Sequence, residues 1–118
     1  MDTKQRGDYG EMLAERFLAG KGYEILARNY RVRQGEIDLI AREGETVVFV
    51  EVKARSGERF GRPCEAVDER KQQRLRAAAE RWLYEQKETA FCRFDVIEVF
   101  LPREPQERPR IHQIINAF

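Results

Sequence analysis

Two apolar stretches joined by a polar turn constrain this chain more than any other feature: Gly35-Glu36-Ile37-Asp38-Leu39-Ile40-Ala41 and Val47-Val48-Phe49-Val50-Glu51-Val52-Lys53. Both are rich in the β-branched and apolar residues that suit strands. Between them Arg42-Glu43-Gly44-Glu45-Thr46 is polar and carries a turn-permissive glycine, so the spacing predicts a β-hairpin. A slip of one residue would turn every side chain to the other face, so the register can be read from the faces it creates. Pairing Ala41 with Val48, Leu39 with Val50 and Ile37 with Val52 makes one face wholly apolar. On the other face the same register sets Ile40 opposite Phe49, Asp38 opposite Glu51 and Glu36 opposite Lys53.

A carboxylate inside an apolar strand is costly unless something pairs with it. Directly opposed residues have Cβ atoms about 4.5–5.5 Å apart, where like charges destabilise a sheet. Asp38 and Glu51 therefore call for a cation. Lys53 is one candidate, because it lies two residues beyond Glu51 and projects from the same face. A hard divalent ion such as Mg²⁺ is the other, since it takes a couple of carboxylates and keeps waters for substrate phosphates. The lysine could then orient or deprotonate a water, or neutralise charge developing on phosphorus. The plainer alternative is a solvated sheet face with a Glu36–Lys53 salt bridge and with Asp38 and Glu51 exposed. It leaves unexplained why Val47, Ile40 and Phe49 share the charged face.

Residues 1–118 are read as a single domain, long enough to bury one core. The formal net charge of +1 excludes identifying a nucleic-acid binder from bulk charge, so local clustering must carry that argument. Cys64 and Cys92 show no metal-ligand or redox spacing and read as reduced, small apolar residues of a cytoplasmic protein. No apolar run approaches the roughly 20 residues needed to span a bilayer, and the N-terminus is polar, so neither a membrane partner nor export is expected.

Helical spacing through Tyr9, Met12, Leu13 and Phe17 predicts a helix over 4–19, stopped by Gly20 and Gly22. A first strand follows over 23–30, then the hairpin. Residues 54–63, rich in arginine and glycine, leave the strand that carries Glu51 and Lys53. Asp68 reads as the N-cap of a helix running to about Lys87, with Leu75, Ala78, Ala79, Trp82 and Leu83 on its buried stripe. Strands over 93–101 and 111–115 flank a proline-containing loop. The order of helix, three strands, helix and two strands is that of an α/β layer protein with a mixed sheet.

Asp38 followed by Glu51-x-Lys53 on the next strand resembles the PD-(D/E)xK nuclease core, with Ile37 where the motif name has proline. More closely, the chain resembles the YraN family of small bacterial proteins, the UPF0102 group. The residues that carry this resemblance are Gly10-Glu11, Gly22-Tyr23, Asn29-Tyr30-Arg31, Gly35 to Ala41, Phe49 to Lys53, Phe60-Gly61, Glu65-Ala66-Val67, Arg93 to Val96 and Asn116-Ala117-Phe118. The resemblance implies a restriction-endonuclease-like three-layer fold, with a mixed central sheet of about five strands flanked by helices. It also implies likeness to archaeal-type Holliday junction resolvases, with Asp38 and Glu51 as ligands of Mg²⁺ (or Mn²⁺) and Lys53 as the catalytic lysine. Glu11 then corresponds to the acidic residue on the first helix that completes such sites, and Glu36 is a supporting candidate.

Arg55, Ser56, Arg59 and Arg62 are candidates for phosphate contacts, since guanidinium forks suit phosphate geometry and the segment begins beside Lys53. Lys71, a further nucleic-acid-binding candidate, and Gln72, at the start of the second helix, either face the cleft or form a solvated first turn. Trp82 reads as core, His112 is given no catalytic role, and Asp95 reads as a buried hydrogen-bonding group. The expected function is a metal-dependent endonuclease acting on DNA, branched DNA included. The alternative is a nucleic-acid-binding or adaptor module that keeps the fold without independent catalysis. A homodimer follows by analogy, because resolvases cut two strands symmetrically.

Overall fold

A computed structural model describes residues 1–56 and 67–118 of the chain, excepting the side chain of Ser56. Arg59, Arg62 and Cys64, together with most of the predicted arginine-rich segment, lie outside the described residues. In chain order the elements are α1 (Thr3–Gly20), β1 (Glu24–Val32), β2 (Gly35–Glu43), β3 (Thr46–Ser56), α2 (Glu69–Gln86), β4 (Phe91–Leu101) and β5 (Arg110–Ile114). This is the predicted order, with β1 running two residues further than expected. The strands form one mixed sheet in the order β1-β2-β3-β4-β5, parallel at β3–β4 and antiparallel elsewhere. A parallel neighbour requires a crossover, and α2 lies on it.

The helices cover opposite faces, giving three layers. Ala14 and Leu18 of α1 pack with Leu39, Ala41, Val48, Val50, Ile97 and Val99. Leu75, Ala78, Ala79 and Trp82 of α2 pack with Ile40, Val47, Phe49 and Val96 on the other side. The indole of Trp82 meets the Phe49 ring edge-on, with centroids 6.0 Å apart, so Trp82 is core as expected. The Asp68 carboxylate accepts from the Lys71 backbone N–H at 2.8 Å, which fixes where α2 begins. No helix among the described residues is long and apolar enough to cross a membrane.

The buried line of α1 differs from the predicted one. It is Gly10, Ala14 and Leu18, while Tyr9, Leu13 and Phe17 flank it half-buried and Met12 faces solvent. A glycine is needed at position 10 because the helix runs very close to β3 there: a Cβ at Gly10 would stand 2.8 Å from that of Ala54. Gly10→Val should therefore cost about 1–3 kcal/mol, the usual range for overpacking. Urea denaturation checks this, and an unchanged midpoint would refute the close approach.

The β2–β3 hairpin turns at Gly44-Glu45, where Gly44 has φ of 59°. Its ladder follows the predicted register from Glu43↔Thr46 to Leu39↔Val50. The pairing of Asp38 with Glu51, Ile37 with Val52 and Glu36 with Lys53 is not part of that ladder. Nor is Ile37 on the face of Leu39: it joins the core under α2, whereas Leu39 joins the core under α1. Alternation breaks at Asp38. Opposite it on β1, between the pairs Arg28↔Leu39 and Tyr30↔Ile37, Asn29 adopts a left-handed φ of 48°, a conformation that asparagine tolerates better than most residues. Cys92 also departs from expectation, because it is a free, exposed thiol at the open start of β4 rather than a packed apolar residue.

Candidate active site

Where the β2–β3 ladder stops, the Asp38 carboxylate takes the place of a strand partner. Its Oδ2 accepts from the Val52 backbone N–H at 2.8 Å. The two strands thus part at the point where both carry an acid, and Glu51 is itself buried. The plain reading of a solvated face with exposed acids is therefore excluded. So is a Glu36–Lys53 bridge: Glu36 is exposed and pairs with Arg31, its neighbour across β1, at 3.4 Å.

Two ammonium groups converge on Glu51 instead. Lys71 Nζ lies 2.7 Å and Lys53 Nζ 3.5 Å from the same oxygen, Oε1. Lys53 arrives by strand alternation from Glu51. Lys71 lies in the first turn of α2, begun by the Asp68 cap, and reaches Glu51 from there. Lys71 therefore faces the cleft. Burial pushes the Lys53 ammonium below its ordinary pKa, and adjacent Lys71 reinforces the shift against the pull of Glu51. Burial acts on Lys71 too, but the hydrogen bonds to Glu51 and Lys53 outweigh it and hold its pKa up.

Glu11 reaches the same neighbourhood from the opposite layer, carried by the close approach of Gly10 to Ala54. Its carboxyl is held above the ordinary range by burial and then by Asp8, with Glu51 adding to the effect and an Asn29 hydrogen bond opposing it. Asp38 is pushed up to about 7, chiefly by burial and next by Glu51, with Glu11 adding and the Val52 N–H and Lys71 opposing. Among the described residues no group of three or more His, Cys, Asp or Glu side chains closes around a common point. The acids that could hold a cation here are the pair Asp38 and Glu51, with Glu11 acting at longer range. Two carboxylates with room for waters are what a small hard cation takes.

A carboxyl whose folded pKa is raised binds more protons folded than unfolded between the two values, so its contribution to stability falls as pH rises through that window. For Asp38 the window runs from 3.8 to about 7. In EDTA, Asp38→Asn should therefore melt above the wild type at pH 8, and the gap should close as pH falls toward 4. Asparagine can still accept from the Val52 N–H. Melting curves across pH check this, and a gap that widens on acidification contradicts it.

Sequence reasoning missed Glu98, which is fully buried on β4 beside Lys53. Its carboxylate holds Arg55 Nε at 3.2 Å and lies 3.6 Å from His112 Nδ1. The signal was present, since Val96-Ile97-Glu98-Val99-Phe100 interrupts an apolar strand with an acid just as Asp38 and Glu51 do. Arg55 is accordingly gripped through Nε. The backbone of Ser56 ends β3.

Comparison with known proteins places this geometry in a group. Residues 10–99 match the family described as "Uncharacterised protein family UPF0102". A UPF0102 protein of Symbiobacterium thermophilum is 49% identical over 117 residues, covering 98% of each chain. A UPF0102 protein of Clostridioides difficile is 42% identical over 119 residues, and one of Caldicellulosiruptor saccharolyticus 45% over 119, each covering both chains completely. The chain belongs to the UPF0102 family.

Proposed function

We propose that this protein is a metal-dependent endonuclease acting on DNA. The observation that carries the reading is the junction at Asp38: a half-buried carboxylate replaces a strand partner, is destabilised by the adjacent acid Glu51, and has Lys53 on the same rim. A purely structural pair of acids gains nothing from this proximity, whereas a divalent cation would relieve it. Asp38 and Glu51 would hold Mg²⁺ or Mn²⁺, which supplies activation of a water and polarisation of the scissile phosphate. Lys53, less basic than a free lysine, is suited to take or give a proton beside that phosphate. Glu11 would bias the site toward cations from the far side, and Arg55, held at Nε by Glu98, would offer its guanidinium charge to a phosphate oxygen.

Pure protein should cut linear, flapped or four-way-junction DNA in the presence of Mn²⁺, and the activity should vanish in Glu51→Gln. Cleavage that survives the substitution, or no cleavage of any of these substrates, counts against the reading. A second reading is favoured by one observation. Lys71 bound to Glu51 gives the site an internal cation, as befits a module that binds nucleic acid without turnover. Under that reading DNA binds but remains intact with every divalent ion tried.

A further inference from the structure

A groove of about 520 Å³ runs from the start of β2 along the first turns of α2, lined by Glu36, Asp68, Arg70, Lys71, Arg74 and Leu75. Its walls are held tightly, because a Cβ at Gly35 would stand 2.7 Å from the Arg74 carbonyl oxygen, so strand and helix touch at its base. Both acids in the groove are already engaged. Asp68 accepts the Lys71 N–H as the helix cap, and Glu36 pairs with Arg31. Arg70 and Arg74 are exposed and, among the described residues, neither is in an ion pair. They stand one helical turn apart, where like charges repel and disfavour the helix. Lys71 lines the groove and its ammonium also meets Glu51 Oε1 at 2.7 Å, so this one side chain belongs to both the groove and the acidic site.

We infer that this groove binds the phosphodiester backbone of a DNA strand as it leads to Glu51 and Lys53, with Arg70 and Arg74 on consecutive phosphates; the inference rests on the nuclease reading for the role of that site. Four residues of helix rise about 6 Å, comparable to the separation of neighbouring phosphates along a strand. Guanidinium forks without internal partners suit phosphate oxygens.

The test is fluorescence anisotropy in EDTA, with a short labelled duplex and its single strand, across a salt series. Arg70→Ala/Arg74→Ala should bind the duplex roughly tenfold more weakly near 0.1 M salt, and the slope of log K against log salt should fall by about 2. Arg70→Lys/Arg74→Lys should keep the slope. Wild-type affinity and slope in the alanine variant would overturn the proposal, as would no binding by the wild type or equal competition by polyglutamate. Binding without metal separates the two ideas. If the wild type cuts DNA but the alanine variant binds and cuts equally well, the groove fails and the nuclease stands. If binding depends on the arginines and nothing is cut, the groove stands and the nuclease fails.

Discussion

Lys53→Met is expected to slow Mn²⁺-dependent DNA cleavage by about 10²- to 10⁴-fold, the usual worth of a positioned proton-transfer group, while leaving the fold intact. The Lys53 side chain is only 24% exposed, and its ammonium stands 3.5 Å from Glu51 Oε1. Methionine fills nearly the same volume, and Lys71 at 2.7 Å still neutralises Glu51, so no buried charge is stranded. Burial and the neighbouring lysine make Lys53 easier to deprotonate than a free lysine, which is what the proposed role requires. Arginine keeps the charge but does not give up a proton at accessible pH, so Lys53→Arg should not restore the rate. Single-turnover cleavage with matched melting curves checks this. Wild-type rates in Lys53→Met would remove the lysine from the chemistry.

Asp95→Ala should cost about 3–5 kcal/mol, the range for removing one partner of a buried ion pair, or roughly 10–25 °C in Tm for a domain of this size. Asp95 is completely buried. Its carboxylate accepts from Arg93 Nε at 3.0 Å, Gln113 Nε2 at 3.0 Å and the Asn116 N–H at 2.9 Å. Arg93 in turn reaches Glu43 and Tyr23, so this one group ties β4 to β5, to the β2–β3 turn and to the C-terminal residues. Beyond Asn116, the Ala117 N–H donates to the Phe94 carbonyl at 2.7 Å and Phe118 stacks on Phe94. Losing Asp95 should therefore release the chain end as well as leave the Arg93 guanidinium with Glu43 as its one remaining carboxylate partner. Calorimetry measures the first effect and amide exchange of 113–118 the second. A loss below 1 kcal/mol would show that the network is not structural.

The hairpin register was legible from the alternation of apolar residues because each of Leu39, Ile40 and Ala41 has one buried face to satisfy. The same logic failed from Asp38 onward. A carboxylate that bonds the opposite backbone ends the ladder, and a left-handed Asn29 turns the strand, and neither event leaves a periodic trace. The Asp68 cap and the stripe through Trp82 were legible because caps and stripes are local. The line of α1 was misread through its aromatic residues, since the close approach of Gly10 to β3 turns the helix so that Ala14 and Leu18 take the buried line. Lys71 could not be placed from sequence, because its meeting with Glu51 depends on how α2 lies across the sheet. Glu98 could have been found by the reasoning that marked Asp38.

The central claim is that Asp38 and Glu51 together hold a divalent cation. Isothermal titration of Mn²⁺ into the wild type, Asp38→Asn and Glu51→Gln tests it without any substrate. One saturable site in the wild type, lost in both variants while each remains folded, is the predicted result. Equal binding in all three proteins, or none in the wild type, would contradict it.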